Sequence, residues 1–208
     1  MLLHWLNDFV LLFVVVDPLC LAPAFVALTQ GAGPLRVRRM ALRGTGLGTA
    51  ILVVFALLGQ GLLGVLRISF AAMRVSGGAL LFLLAIDMVF ARQSGLRSTT
   101  PGEQEEASHK DDISVFPLAI PLFAGPGAIT TVMLLASESA GQRLHLAAIL
   151  GLLLILGLIT LGALLLAARI MRLLGETGLN VISRVSGIVL AALAAQYIID
   201  GVRASIFP

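Results

Sequence analysis

The sequence predicts an all-α integral membrane protein: six transmembrane helices arranged as two inverted three-helix repeats, with the first and fourth helices broken. Three observations carry that expectation. Apolar residues make up 59% of the 208-residue chain and charged residues only 12%, with a mean hydropathy of +1.04, whereas a soluble domain carries about 25% charge. The apolar residues gather into six tracts, each long enough to cross about 30 Å of hydrocarbon as a helix. Two short motifs also recur at nearly the same offset in the two halves of the chain.

The first tract, 4–29, contains VVVDPLCLAPAF at 14–25. A charge at the centre of a membrane helix costs about 2.5–3.5 kcal/mol, and proline removes a backbone donor where no water replaces it. Asp is a good N-cap and Pro is favoured at the first helical position. Asp17-Pro18 therefore reads as the start of a new half-helix near the midplane. No basic residue precedes the tract, the first being Arg36, and no small-residue cleavage site follows its apolar run, so it is not expected to be removed as a signal peptide. Cys20 is the single cysteine; it excludes an internal disulfide and is expected to pack.

The second tract, 44–66, presents small-residue faces through Gly44, Gly46, Gly48, Gly59, Gly61 and Gly64, which favour close helix packing. The third, 70–91, contains RVSG at 74–77. The polar stretch RQSGLRSTTPGEQEEASHKDD at 92–112 has no periodic apolar pattern and is expected to be a flexible cytoplasmic linker between a first repeat, 1–91, and a second, 113–208. The fourth tract, 113–137, is interrupted by Pro117, Pro121, Gly125 and Pro126, and Gly125-Pro126 reads as a second half-helix start. The fifth tract is 145–168. The sixth, 180–204, carries a second RVSG at 184–187 and a small face of Ala191, Ala192, Ala194 and Ala195.

RVSG recurs 110 residues on, and DPL at 17–19 aligns with GPG at 125–127, 108 residues on. An odd number of spans per unit sends the second copy in from the opposite side, which makes the repeat inverted. The net charge of +3 is spread over short loops, which argues against a nucleic-acid partner and reports orientation instead. Arg36, Arg38, Arg39, Arg43, Arg92, Arg97, Lys110, Arg169 and Arg172 fall on one side, in loops near 30–43, 92–112 and 169–179, against Arg67, Arg143 and Arg203 on the other. The richer side is expected to face the cytoplasm, leaving both termini on the outer side of the membrane.

Broken helices that meet at the midplane are where inverted-repeat transporters bind substrate. A half-helix N-terminus carries about half a positive charge and free N–H donors. Asp17 supplies an anion at Pro18, whereas the glycines at Pro126 supply none. An amino-acid zwitterion would match the pair, with its carboxylate at the N–H groups of Gly127, Ala128 and Ile129 together with Thr130 or Thr131, and its ammonium near Asp17. The blander readings are that Asp17 only caps its helix, that Gly125 and Gly127 serve packing, and that the threonines bond their own preceding turn. Gln196 either faces the site or bridges helices. Arg74 with Asp200, and Arg184 with Asp87, sit at mirrored helix ends; they either pair as alternating gates or reach headgroups and water.

DPLxxxPxF in the first span, FPLAIPLFAGPGAITTVMLL at 116–135 and LLGETGLNVISRVSGIVLAALAAQYIIDGVR at 173–203 resemble the MarC family of six-span bacterial inner-membrane proteins. The resemblance covers nearly the whole chain apart from the linker. It implies an inner-membrane location and, from some members, transport of small neutral amino acids; an older association with antibiotic resistance gave the family its name. The family's first motif commonly reads D-P-x-G-N-x-P, and here Cys20 replaces the glycine and Leu21 the asparagine. If that asparagine touches substrate in relatives, the substrate here is more apolar or different.

His4, His109 and His145 lie at ends or in loops without metal-ligand spacing, and there is no set of nucleophile, base and orienting group. An enzyme is not expected, nor a cofactor or a resident metal; a proton or sodium gradient would drive transport. The expected partners are a small-molecule substrate and membrane lipid, with a homo-oligomer left open. The competing readings are an efflux protein for amphiphilic drugs and a non-transporting membrane scaffold.

Overall fold

The computed structural model describes residues 2–91, 112–138 and 143–206, so all of the 92–112 linker except Asp112 lies outside the described residues. The elements in chain order are α1 (Leu2–Val16), α2 (Pro18–Leu28), α3 (Pro34–Val65), α4 (Phe70–Phe90), α5 (Ser114–Phe123), α6 (Pro126–Glu138), α7 (Arg143–Leu165) and α8 (Ala167–Ile206). Five stretches are long and apolar enough to cross a membrane, with α1 and α2 together forming one of them. The pair α5 and α6, bent by 60°, makes a sixth when taken as one span.

Both predicted breaks are present. The first separates α1 from α2 at Asp17, whose φ of 47° and ψ of 70° are left-handed, a conformation that Asp tolerates better than most side chains. The second lies at Ala124–Gly125. The half-span before it is irregular, because Phe116 and Ile120 take extended backbone angles one residue ahead of Pro117 and Pro121, where the proline ring disfavours helix in its predecessor. The segment is wound instead with five-residue bonds, Leu118 N–H to Ile113 O at 3.1 Å and Ala124 N–H to Ala119 O at 2.9 Å.

The basic connectors differ from expectation. Residues 34–43, read as loop, form the first turns of α3, with Pro34 at the first helical position. Residues 169–174 are likewise helical, and α8 is interrupted at Gly175, whose φ of 62° suits glycine. Arginine is a good helix former, so charge in these segments marks the membrane surface without ending the helix.

The broken spans lie at the centre. Leu12, Val15, Val16, Leu21, Ala22 and Phe25 of the first, and Thr131, Val132, Leu134 and Leu135 of the fourth, are at most 3% exposed. The unbroken helices surround them and present Leu57, Leu58, Val65, Leu154, Leu158 and Ile188 outward, as lipid contact requires. Irregular backbone is tolerated at membrane depth only where protein covers it; Asp17 at the first break is buried, whereas Ile120 and Pro126 around the second are exposed.

The helices α4 and α8 pack antiparallel at backbone distance. A Cβ on Gly78 would stand 2.8 Å from Ala194 O, one on Gly187 3.0 Å from Ala85 O, and one on Gly201 2.9 Å from Ala71 O. Buried hydroxyls are satisfied within their own helices: Thr29 donates to Phe25 O at 2.7 Å, Ser137 to Met133 O at 2.6 Å, Thr160 to Leu156 O at 2.8 Å, and Thr45 to Ala41 O. At the start of α5, Asp112 accepts from the hydroxyl and the N–H of Ser114, and Arg43 Nη1 donates to its other oxygen at 3.0 Å.

Gly78→Ala is expected to destabilise the protein by about 1–3 kcal/mol, since the added methyl meets backbone that cannot rotate away; thermal unfolding in detergent measures it. The Ser114 bonds, with Arg43 adding to them, hold the Asp112 carboxyl below the usual aspartate range. Its stabilisation is therefore present above the unfolded-state pKa and lost as pH falls through the lowered folded value. With both Arg43 and Asp112 about half exposed, the ion pair itself contributes less than about 1 kcal/mol. The stability gap between wild type and Asp112→Asn should close as pH drops below about 4.

Candidate functional site

Asp17 is 3% exposed, in the middle of the first span. Its N–H donates to Phe13 O at 2.7 Å, which completes α1, and its carbonyl accepts from Cys20 N–H at 3.1 Å and Leu21 N–H at 3.3 Å, which begins α2. The carboxylate accepts from Cys20 N–H at 3.3 Å. Asp17 therefore acts as the N-cap, and Pro18 at the first helical position needs no acceptor. The carboxyl group also stands at the positive end of a half-helix, where an acidic side chain is favoured.

The second break is built from backbone alone. Gly125 O accepts from Ile129 N–H at 3.0 Å, closing the first turn of α6. The expected donor set of Gly127, Ala128 and Ile129 is thereby reduced: Ile129 is engaged, and Pro126 has no N–H. Gly127 and Ala128 are left as the first-turn donors that the helix itself cannot satisfy. The two breaks lie side by side, since Val15 Cγ1, two residues before Asp17, is 3.7 Å from where a Cβ on Gly127 would sit. Leu84 and Leu81 close the same position at 3.1 and 3.4 Å, so apolar side chains crowd one side of the α6 N-terminus.

The other predicted site residues are placed differently. Thr131 donates to Gly127 O at 2.8 Å, bonding its own preceding turn. Thr130 is 7% exposed and turns its methyl group toward Gly77 of α4. Gln196 does not face the breaks: it is on the exposed side of α8 and donates through Nε2 to Asp200 Oδ1 at 2.9 Å. The predicted gate residues do lie on neighbouring helices, because the Cβ position of Gly201 is 3.0 Å from Arg74 Cβ and that of Gly187 is 2.8 Å from Met88 Cβ. Asp200, however, is engaged by Gln196, the Arg74 guanidinium lies over the Phe70 ring at 4.7 Å, and Arg184 is exposed.

The two family departures are structural here. Leu21 is 2% exposed in the core, and the Cys20 thiol donates weakly to Leu179 O at 3.9 Å, linking α2 to α8. Away from the breaks, His4, Asp8 and His145 converge, with their ligand-type atoms within 4.8 Å of one another. The histidines lie on α1 and near the start of α7. The four-residue spacing of His4 and Asp8 was a visible signal, while their meeting with a residue on the fifth span was not.

These features define a polytopic α-helical membrane protein with two discontinuous spans packed at its centre. The chain belongs to the MarC family of integral membrane proteins, whose model matches residues 2–206. It is 36% identical over 194 residues to the UPF0056 inner membrane protein YhgN of Escherichia coli K12, covering 93% of each chain. It is 34% identical over 204 residues to a UPF0056 membrane protein of Methanocaldococcus jannaschii, covering 98% of each. Against the UPF0056 membrane protein YvbG of Bacillus subtilis it is 34% identical over 200 residues, 96% of this chain and 94% of the relative. No solved structure matches the chain.

Asp17→Ala should cost about 1–2 kcal/mol, through the lost cap and the left-handed backbone, while Asp17→Asn should stay within about 0.5 kcal/mol of wild type. Thermal unfolding of the two purified variants measures the difference.

Proposed function

We propose that the protein is a secondary transporter of small neutral amino acids, binding substrate where the two broken spans meet, with both termini on the outer side of the membrane. The observation that carries this reading is the buried Asp17 carboxylate at one break, in a span whose Val15 packs against Gly127 at the other. An intramembrane carboxylate is costly and is usually kept for function. A zwitterion would place its ammonium at Asp17 and its carboxylate at the α6 N-terminus, where the helix dipole favours an anion.

In the conformation described, Val15, Leu81 and Leu84 crowd Gly127, so admission of substrate requires these side chains to part. Leu21, in place of the family's usual asparagine, favours an apolar substrate side chain. The antiparallel contact of α4 with α8 supports the inverted-repeat reading, since these two helices carry the two copies of RVSG, and the glycine of each copy lies in a close helix contact, Gly187 directly against α4. The gate reading requires Asp200 to exchange Gln196 for Arg74 when the outer mouth closes, and to release Arg74 when it opens. A proton is favoured over sodium as the coupling ion, because one carboxylate can carry a proton whereas sodium wants several more oxygens.

Uptake and efflux of labelled amino acids in proteoliposomes, under imposed proton and sodium gradients, test the reading. Wild type should move at least one small neutral amino acid, and Asp17→Asn should fall at least tenfold, about 1.4 kcal/mol, while unfolding at the same temperature. Wild-type rates in Asp17→Asn would reduce Asp17 to a cap. Transport of amphiphilic drugs with no amino-acid flux would favour an efflux protein.

A further inference from the structure

We infer that His4, Asp8 and His145 form a binding site for a divalent transition-metal ion of the zinc class, joining the start of α1 to the start of α7. His4 and Asp8 are four residues apart on α1 and so share one helix face. His145, in the first turn of α7, meets that face. Asp8 Oδ2 is 3.5 Å from His145 Nε2 and 4.0 Å from His4 Nε2, and the two imidazoles stand edge to face with centroids 5.0 Å apart.

Two atoms bound to one tetrahedral zinc at about 2.0–2.1 Å stand about 3.4 Å apart. The Asp8–His145 separation already has that value. His4, with a side chain 54% exposed, needs only a small rotation to complete the set.

The chemistry of the three groups agrees with the geometry. The Asp8 side chain is 6% exposed and that of His145 is 12% exposed, a costly setting for a carboxylate that a dication would stabilise. His145 Nε2 is buried, aims at the Asp8 oxygen and makes no hydrogen bond among the described residues. Two imidazoles and one carboxylate suit zinc, cobalt, nickel or copper, whereas magnesium and calcium want an oxygen shell. The exposed side at His4 leaves a further position open to water. A bound ion would clamp the first half-span to the fifth span from outside the region of the breaks, so the site stands independently of what the protein transports.

The test uses the full-length protein, freed of any polyhistidine tag, in detergent, with Co²⁺ as the spectroscopic probe and Zn²⁺ as competitor. Wild type should bind one equivalent of Co²⁺ with visible absorption bands that Zn²⁺ removes, and Zn²⁺ should raise its unfolding temperature. His4→Ala, at an exposed position, should weaken binding at least about tenfold and lose the Zn²⁺ shift, and Asp8→Asn should do the same. His109→Ala, the remaining histidine, should bind as wild type does. The site is overturned if wild type shows no saturable bands below millimolar Co²⁺, if His4→Ala binds as tightly as wild type, or if His109→Ala abolishes binding. Should Asp8→Asn fail to fold, His4→Ala alone decides.

Discussion

Hydrocarbon offers no hydrogen bonds, and each departure from helix inside the membrane must therefore be repaired by the chain itself. That constraint organises the molecule. At Asp17 the backbone turns left-handed for one residue, and a side-chain carboxylate takes up a donor at the start of the next helix. At Ala124–Gly125 no side chain is available; the preceding segment is rewound on five-residue bonds, and the Gly125 carbonyl closes the following turn. Both repairs are incomplete, because a first helical turn always leaves donors over. Packing the two broken spans against the other helices keeps most of their backbone out of lipid.

The breaks were legible in the sequence because proline after a capping residue has a local cause and a local effect. The Asp17 cap, the Thr131 bond to its own turn and the irregular 114–123 segment all follow from residues no more than five apart. The arginine segments at 34–43 and 169–174 lie outside the apolar tracts and so are expected as loops, yet they are helical. In fact Pro34 starts α3 before its arginines, and Gly175 interrupts α8 after its own. Depth in the span leaves Gln196 open between facing the site and bridging helices; its orientation depends on the rotation of α8, which contacts with α4 fix and its own sequence does not. The convergence of His4 and Asp8 with His145 depends on α1 and α7 being neighbours, and no spacing along the chain encodes that.

The two halves are chemically unequal at corresponding places. The first break carries an acidic side chain, Asp17, whereas the second is built from backbone alone. Cys20 and Leu21 follow the first break without disturbing its cap. Leu21 is absorbed into the core, and Cys20 is directed to the α8 backbone at Leu179. Substitution at these two positions can therefore leave the helix break at Asp17 intact.

The face that α3 turns toward the fourth span is notched. Leu118 and Phe123 of α5 occupy the places where Gly44 and Gly48 have no side chain, and Met133 of α6 occupies that of Gly59. One unbroken helix thus holds both parts of a bent one in fixed register, eleven residues separating the second notch from the third, about 16 Å along the axis. Sliding of the fourth span along α3 would lift three large side chains out of their seats at once, whereas rolling α3 outward as a rigid rod frees them in succession. A single added methyl at Gly44, Gly48 or Gly59 would unseat one of these three side chains, so the bend of the fourth span is held from outside by what α3 lacks.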